Sequence, residues 1–312
     1  MMLSRFAENA FWMGRYVERI ENLVRLVAVT EGFAADQSDE AAWAPILKAN
    51  SDTAAFKETG KELTGPNVAR FYLYDRNNMS SVAYSVHMVK ENARSLRHLI
   101  STESWRQVTL FHELVIAASK KRFAMSRLSD ICEEIRIACF THRGVMEATC
   151  YRDEVFQFNR LGAALERADQ MTRLIDVKYF RSDDDDDAPV TDVAWWNTLL
   201  RTASGYHAFQ RTYSFNPAPA DAAHFLLFDE GFPRSVKGAA ETALTCLKTL
   251  DRKFAARPGA EVTAAAEALA DRLDNPPERL TGRPLHRYID QIQSEIIALA
   301  NALFERYFSP EA

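Results

Sequence analysis

Two stretches of this chain are versions of one another, and that repetition limits what it can fold into. Set MGRYVERIENLVRLVAV (13–29) over LGAALERADQMTRLIDV (161–177): Gly14/Gly162, Glu18/Glu166, Arg19/Arg167, Arg25/Arg173, Leu26/Leu174 and Val29/Val177 are identical. Glu21/Asp169, Asn22/Gln170 and Leu23/Met171 are conservative pairs. A second pair follows in the same order, FYLYDRNNMSSV (71–82) against FLLFDEGFPRSV (225–236), and between them Trp43 and Leu47 match Trp195 and Leu199. The offset grows from 148 (161 against 13) to 154 (225 against 71), as an insertion between the copies produces. Ordered matches at a nearly fixed period predict an internal duplication. We expect two helical halves, near 1–156 and 157–312, related by a pseudo-twofold axis that brings the copied helices together.

The halves are expected to be all-α, a multi-helix bundle forming a single internally duplicated domain over 1–312. Only eleven Gly and eleven Pro occur in 312 residues, and they cluster between long stretches free of either. Helical patterns fall at 5–33, 42–60, 79–100, 103–120, 126–150, 152–180, 193–213, 233–254, 260–273 and 284–308. Ser4, Asn78 and Thr102 precede helical runs as start signals, and Pro233 is expected in a first turn. The strand-like runs FYLYD (71–75) and HFLLFD (224–229) each end at an aspartate and read as packed turns or helix ends. RSDDDDDAPVTD (181–192) is an acidic connector, because five adjacent carboxylates repel one another and cannot be buried together.

Within the repeated helix, Met13, Val17, Ile20, Val24 and Val27 form an apolar face at about 100° per residue. Gly14, Glu18, Glu21 and Arg25 make a second stripe at i, i+4, i+7 and i+11, reproduced as Gly162, Glu166, Asp169 and Arg173. Arg19 and Arg167 lie on a third side beside Leu26 and Leu174. Apolar residues beyond the charged stripe predict a helix enclosed on several sides. An exposed i,i+4 pair is worth about 0.2–0.5 kcal/mol and has little reason to persist in both copies. Breaking a buried pair costs about 3–5 kcal/mol, so a buried Glu/Arg network is expected, and it could equally frame a binding site. Glycine inside a helix costs about 1 kcal/mol against alanine, and its repetition suggests close approach by another backbone or a ligand.

These residues carry a resemblance. LSRFAENAFWMGRYVERIENLVRLV (3–27), FYLYDRNNMSSVAYSVHMVKENARSLRHLISTESW (71–105), RLGAALERADQMTRLIDVKY (160–179) and FLLFDEGFPRSV (225–236) resemble the bacterial alpha-E domain proteins, an all-helical family named for a Glu-Arg motif. The resemblance spans nearly the whole chain. It implies a bacterial cytoplasmic protein working beside a circularly permuted ATP-grasp ligase, often with a transglutaminase-like protein or a proteasome-like peptidase, in amide or peptide bond formation or peptide modification. The family motif falls on Gly14, Arg15, Glu18, Arg19, Glu21 and Arg25, and on Gly162, Glu166, Arg167, Asp169 and Arg173. Ala163 stands where the first copy has Arg15. The second block falls on Asp75, Asn78, Glu91, Asn92, Arg94 and Arg97, and the last on Asp229, Pro233, Arg234 and Ser235. Asp75 and Asp229 are expected to be turn or cap residues.

Other chemistries lack their signatures. The formal charge of -5 equals the contribution of Asp183–Asp187, so no basic excess points to nucleic acid. No GxxxxGK[ST] or GxGxxG loop, Glu-x-x-His pair or GxSxG elbow is present, and no metal or cofactor is expected. Cys132, Cys139, Cys150 and Cys246 show no CxxC spacing and read as reduced thiols. No apolar run of about 18 residues occurs, and no membrane partner is expected. The leading expectation is a helical partner of an ATP-grasp system, with Arg15, Arg19, Glu21, Arg25, Arg167, Asp169, Arg173, Arg94, Arg97 and Arg234 as substrate- or anion-binding candidates around a polar cleft lined by the doubled helices. In the alternative it is itself an enzyme for acyl or peptidyl transfer or hydrolysis, with Glu18 or Glu166 as general base. A third reading is a purely structural interaction protein.

Overall fold

The computed structural model describes residues 4–34, 38–176, 193–213, 218–253, 259–277 and 280–309. The acidic connector lies outside them. Among the described residues there are fourteen α-helices and no strand. The longest, α1 (Ser4–Ala34), carries the first copy of the stripe. There follow α2 (Asp39–Ala49), α3 (Thr53–Glu58), α4 (Gly65–Tyr74), α5 (Val82–Ser95), α6 (Thr102–Ser119) and α7 (Leu128–Thr149). The second copy is on α8 (Glu154–Asp176). Then come α9 (Val193–Thr202), α10 (Tyr206–Thr212), α11 (Pro219–Phe228), α12 (Val236–Lys253), α13 (Ala260–Asp274) and α14 (Gly282–Leu303), with a π turn over Phe304–Phe308.

The strand-like runs are the C-terminal ends of α4 and α11, and Asp75 and Asp229 are their C-caps. Asp75 Oδ1 accepts from Asn77 N at 2.9 Å and its carbonyl accepts from Ser81 Oγ at 2.5 Å, the turn role expected of it. Start signals shift by a few residues. Ser81 rather than Asn78 caps α5, accepting from Tyr84 N at 3.1 Å, and Ser101 caps α6, accepting from Ser104 N at 3.0 Å. In both, the hydroxyl reaches the otherwise unpaired N–H two or three residues on. Pro233 precedes α12 instead of entering its first turn.

Two expected helices are broken. The run 42–60 divides between α2 and α3, and 193–213 between α9 and α10. Ser51 (φ 58°) and Ser204 (φ 60°) stand at the breaks, the only non-glycine residues with positive φ among those described. Such a residue turns the chain out of the right-handed helix.

The core centres on α1 and α8. They pack on each other more extensively than any other two helices. Around α1 lie α5 and α7, with α6 bridging those two; around α8 lie α12 and α14, with α13 bridging them. The π turn brings Phe308 against Phe11 (5.2 Å between ring centroids) and Phe158 (5.8 Å). The predicted apolar face, Met13, Val17, Ile20, Val24 and Val27, is buried throughout, as are Leu161, Leu165, Ala168 and Ile175 on α8.

Glycine sets how close α1 and α8 come. A Cβ on Gly14 would lie 2.0 Å from Asn159 O, and one on Gly162 would lie 2.0 Å from Phe11 O. Both positions are shut to any side chain by the facing backbone, so each glycine's local cost in the helix is offset by contact between main chains. Asn159 Nδ2 donates to Ala10 O at 3.2 Å beside the crossing. Asn22 and Leu26 share a small cavity with Gln170 and Leu174 further along, so the two helices run in the same direction.

Candidate functional site

The crossing brings the charged stripes into register, with Glu18 and Glu166 each against the other helix's arginines. Glu18 is 0% exposed and accepts from Arg167, Nε at 3.2 Å and a terminal N–H at 2.8 Å. Glu166 is equally buried and accepts from Arg19 Nε at 2.7 Å and Arg15 Nε at 2.7 Å. The exchange is reciprocal: Glu18 with Arg167, Glu166 with Arg19.

Two centres result. In the first, Glu18 also meets Arg143 of α7 at 3.3 Å and Arg234, from the turn before α12, at 3.2 Å. Glu21, also fully buried, accepts from Arg25 Nε at 2.9 Å and from Arg234 at 3.0 Å, and Arg143 contacts its other oxygen. Arg234 reaches Asn22 as well, and Arg25 donates its remaining arm to Ser204. In the second centre Glu166 is held by Arg15, Arg19 and Gln170, while Asp169 pairs with Arg173 at 3.0 Å. Arg15 lies over the Trp12 ring and Arg19 over Tyr16, at 5.1 and 5.4 Å from the centroids. Together seven arginines (15, 19, 25, 143, 167, 173, 234) face four carboxylates.

Burial alone would push the Glu18 and Glu166 carboxyls up, because it disfavours the charged form. The surrounding guanidiniums outweigh it. Arg167, Arg234 and Arg143 hold Glu18 far below the usual carboxylate range, and Arg19 and Arg15 hold Glu166 at about 2. Asp169 goes the other way: desolvation raises it, since Arg173 compensates only in part. Burial lowers Arg25 to about 10, assisted by Arg234 and Arg136, and lowers Arg143 to about 10. These cations sit among too few anions.

The arginine stripe was legible in the sequence, and all of Arg15, Arg19, Glu21, Arg25, Arg167, Asp169, Arg173 and Arg234 come together with Glu18 and Glu166. Arg94 and Arg97 do not. Arg94 pairs with Glu91 on the surface at 2.5 Å, and Arg97 lies over Trp105, 5.5 Å from the ring centroid. Arg143 was missed, because its surroundings on α7 match neither repeat nor motif. Its neighbour His142 is buried without a hydrogen-bond partner, and burial lowers its pKa to about 4, so the ring is neutral at pH 7.

Besides the small cavity between the copied helices, a cleft opens beside this network. About 410 Å³ in volume, it lies along the C-terminal half of α1, between Arg25 and the α7 residues Glu133 and Arg136, with Arg201 of α9 at its edge. Elsewhere Asp176, His286 and Asp290 each bring a ligand atom within 4.8 Å of the others. His286 turns Nδ1 to Asp176 at 2.6 Å and Nε2 toward Asp290 at 3.5 Å, so its nitrogens face different carboxylates. The first contact is a hydrogen bond and the second a longer ion pair.

The family comparison covers nearly the whole of this all-helical chain. Residues 2–308 match Alpha-E, described as a predicted alpha-helical domain with a conserved ER motif. The chain belongs to the Alpha-E family. This Alpha-E domain is 23% identical over 290 residues to uncharacterized proteins of Mycobacterium bovis and Mycobacterium tuberculosis, covering 86% of the present chain. It spans only 32% of the length of those relatives. No solved structure matches it. Among the described residues, no helix of the Alpha-E chain is long and apolar enough to cross a membrane.

Proposed function

We propose that this Alpha-E chain is a helical partner protein in an ATP-grasp-dependent system that forms amide or peptide bonds or modifies peptides, supplying an arginine-rich surface that holds an anionic group for the ligase. The carrying observation is the state of the paired glutamates. Glu18 and Glu166 are sealed from solvent, engaged by guanidiniums and held strongly ionised, so they are poorly placed to take or give a proton. Their chemistry suits anchoring arginines. Arginine in turn suits a planar carboxylate or an acyl phosphate, which it grips through two parallel hydrogen bonds. The relatives' greater length fits a module that works joined to other protein.

The test is affinity purification of the tagged chain from its native cell. Recovery of an ATP-grasp protein, with amide-forming activity only in the complex, is the expected result. Recovery of a transglutaminase-like protein or proteasome-like peptidase in the same complex would extend it. Activity of the chain alone, lost in Glu18→Gln at unchanged fold, would favour an enzyme in its own right instead.

The same reading includes duplication of 1–156 as 157–312 about a pseudo-twofold axis. It is supported by the reciprocal Glu18–Arg167 and Glu166–Arg19 pairs, the two glycines at one crossing, and the matching breaks at Ser51 and Ser204. An experimental structure in which α1–α7 failed to superpose on α8–α14 would remove it.

A further inference from the structure

The cleft beside α1 has features that neither the network nor the family description accounts for. Its cationic wall is made of Arg25, Arg136 and Arg201, and its floor is apolar, from Val24, Ala28 and Val29. Arg25 is set from behind, since Glu21 takes its Nε and one terminal nitrogen while Ser204, in its left-handed turn, receives the other. Arg136 pairs through one terminal nitrogen with Glu133, while its Nε is buried without an acceptor. Arg201 forms no ion pair among the described residues and lies over the Tyr206 ring, 4.1 Å from its centroid. The half-exposed Phe140 ring is approached by Arg25, Arg136 and Arg143 at 5.5, 5.9 and 5.4 Å, three cations around one aromatic ring.

Not every group on the wall is cationic. Asp130 and Glu133 stand on its α7 side. Carboxylates there oppose a multiply charged phosphate, yet they accept well from an ammonium or a backbone N–H. A cleft holding guanidiniums, an acceptor pair and an apolar floor within about 410 Å³ has the size and mixed polarity of a small-ligand pocket.

We infer that this cleft binds the carboxylate end of a peptide or amino acid, its carboxylate against Arg25, Arg136 and Arg201, its nitrogen toward Asp130 and Glu133, and its side chain on Val24, Ala28 and Val29. It rests on the partner function for the origin of the ligand, but binding to the isolated chain can be measured without a partner. Failure of complex formation with binding intact counts against the partner function; failure of binding with the complex intact counts against this site.

The experiment is titration calorimetry of the whole chain with L-alanyl-L-alanine, its N-acetyl derivative, its C-terminal amide and inorganic phosphate. Arg136→Gln and Arg201→Gln are the variants, because both side chains lie outside the Glu18/Glu166 network and leave the fold in place, as melting temperature checks. The free acid is expected to bind at least about tenfold more tightly than the amide, and each variant to weaken it about tenfold. Equal binding of N-acetylated and free dipeptide assigns the site to a peptide end, and binding of the free amine form alone to an amino-acid end; both support it. Acid and amide binding alike, neither binding at millimolar concentration, phosphate binding most tightly, or affinity unchanged in both variants overturns it.

Discussion

The two charged centres are built on matching residue types and have different outfits. At Glu166, two arginines of α1 and a glutamine of its own helix supply the donors, and aromatic rings of α1 cover the guanidiniums. At Glu18 the arginines come from α7, α8 and the turn before α12, and Arg143 and Arg234 are shared with a second buried glutamate, Glu21. The sequence difference behind this is small. Arg15 has no counterpart at Ala163, Arg234 stands opposite Ser80 in the repeat, and Asp169 is a methylene shorter than Glu21. One centre is a local clamp between two helices, while the other ties four segments together and opens on the cleft. Asymmetry in a paired frame is what an anion site needs, since one side must keep arginines in excess of their carboxylates.

The largest effect expected from separating the centres is at the buried glutamates. Glu18→Gln takes from Arg167 its carboxylate and leaves Arg143 and Arg234 sharing Glu21 alone, and should destabilise by about 4–5 kcal/mol, while Glu166→Gln, releasing Arg15 and Arg19, should cost about 3 kcal/mol. Urea unfolding at pH 7 measures both, and equal losses would erase the distinction. Next is the crossing itself. Gly14→Ala and Gly162→Ala put a methyl group 2.0 Å from a carbonyl oxygen and should each cost about 3 kcal/mol, by the same amount if the two sides of the crossing are equivalent.

Acid sharpens the contrast further. Glu18 and Glu166 have folded pKa values below the ordinary 4.5, so their contribution is complete above that value and is lost as pH falls toward 2. Asp169 is raised, so ionising it opposes folding above its ordinary 3.8, and Asp169→Asn should leave stability at pH 7 unchanged or slightly higher. A loss there comparable to Glu166→Gln would contradict that direction.

Smaller effects come from the matched breaks. Ser51 is exposed in the left-handed region, so Ser51→Gly should stabilise by about 1 kcal/mol. Ser204→Gly also relieves strain but forfeits the Arg25 hydrogen bond, and should be neutral or destabilising. Smallest of all, Arg173→Ala removes a half-exposed i,i+4 partner of Asp169 and should change thermal stability by no more than about 0.5 kcal/mol.

Most of the helical bundle and of the network was readable because the stripe is written twice. Repetition of Gly, Glu, acid and Arg at one spacing carried information that a single amphipathic helix lacks, and it led to the contacting pair α1 and α8. What escaped had no such echo. Arg143 lies on a helix whose pattern advertises only a core face. The breaks at Ser51 and Ser204 carry a residue that gives little warning of a left-handed backbone, unlike glycine or asparagine. Arg94 and Arg97 share a helical side by spacing, but the bundle turns them toward Glu91 and Trp105. A cleft was expected between the copied helices; the two glycines bring their main chains together at the crossing, and a small cavity opens between them further along.

The Glu18 cluster also bears on how the chain is assembled. Its partners stand at positions 143, 167 and 234, so a growing chain that has made α1 meets the first native counter-charge of Glu18 only on α7 and the last only before α12. Native pairing of that helix is completed only when the far segment docks, a contact of large sequence separation of the kind whose loop closure slows folding.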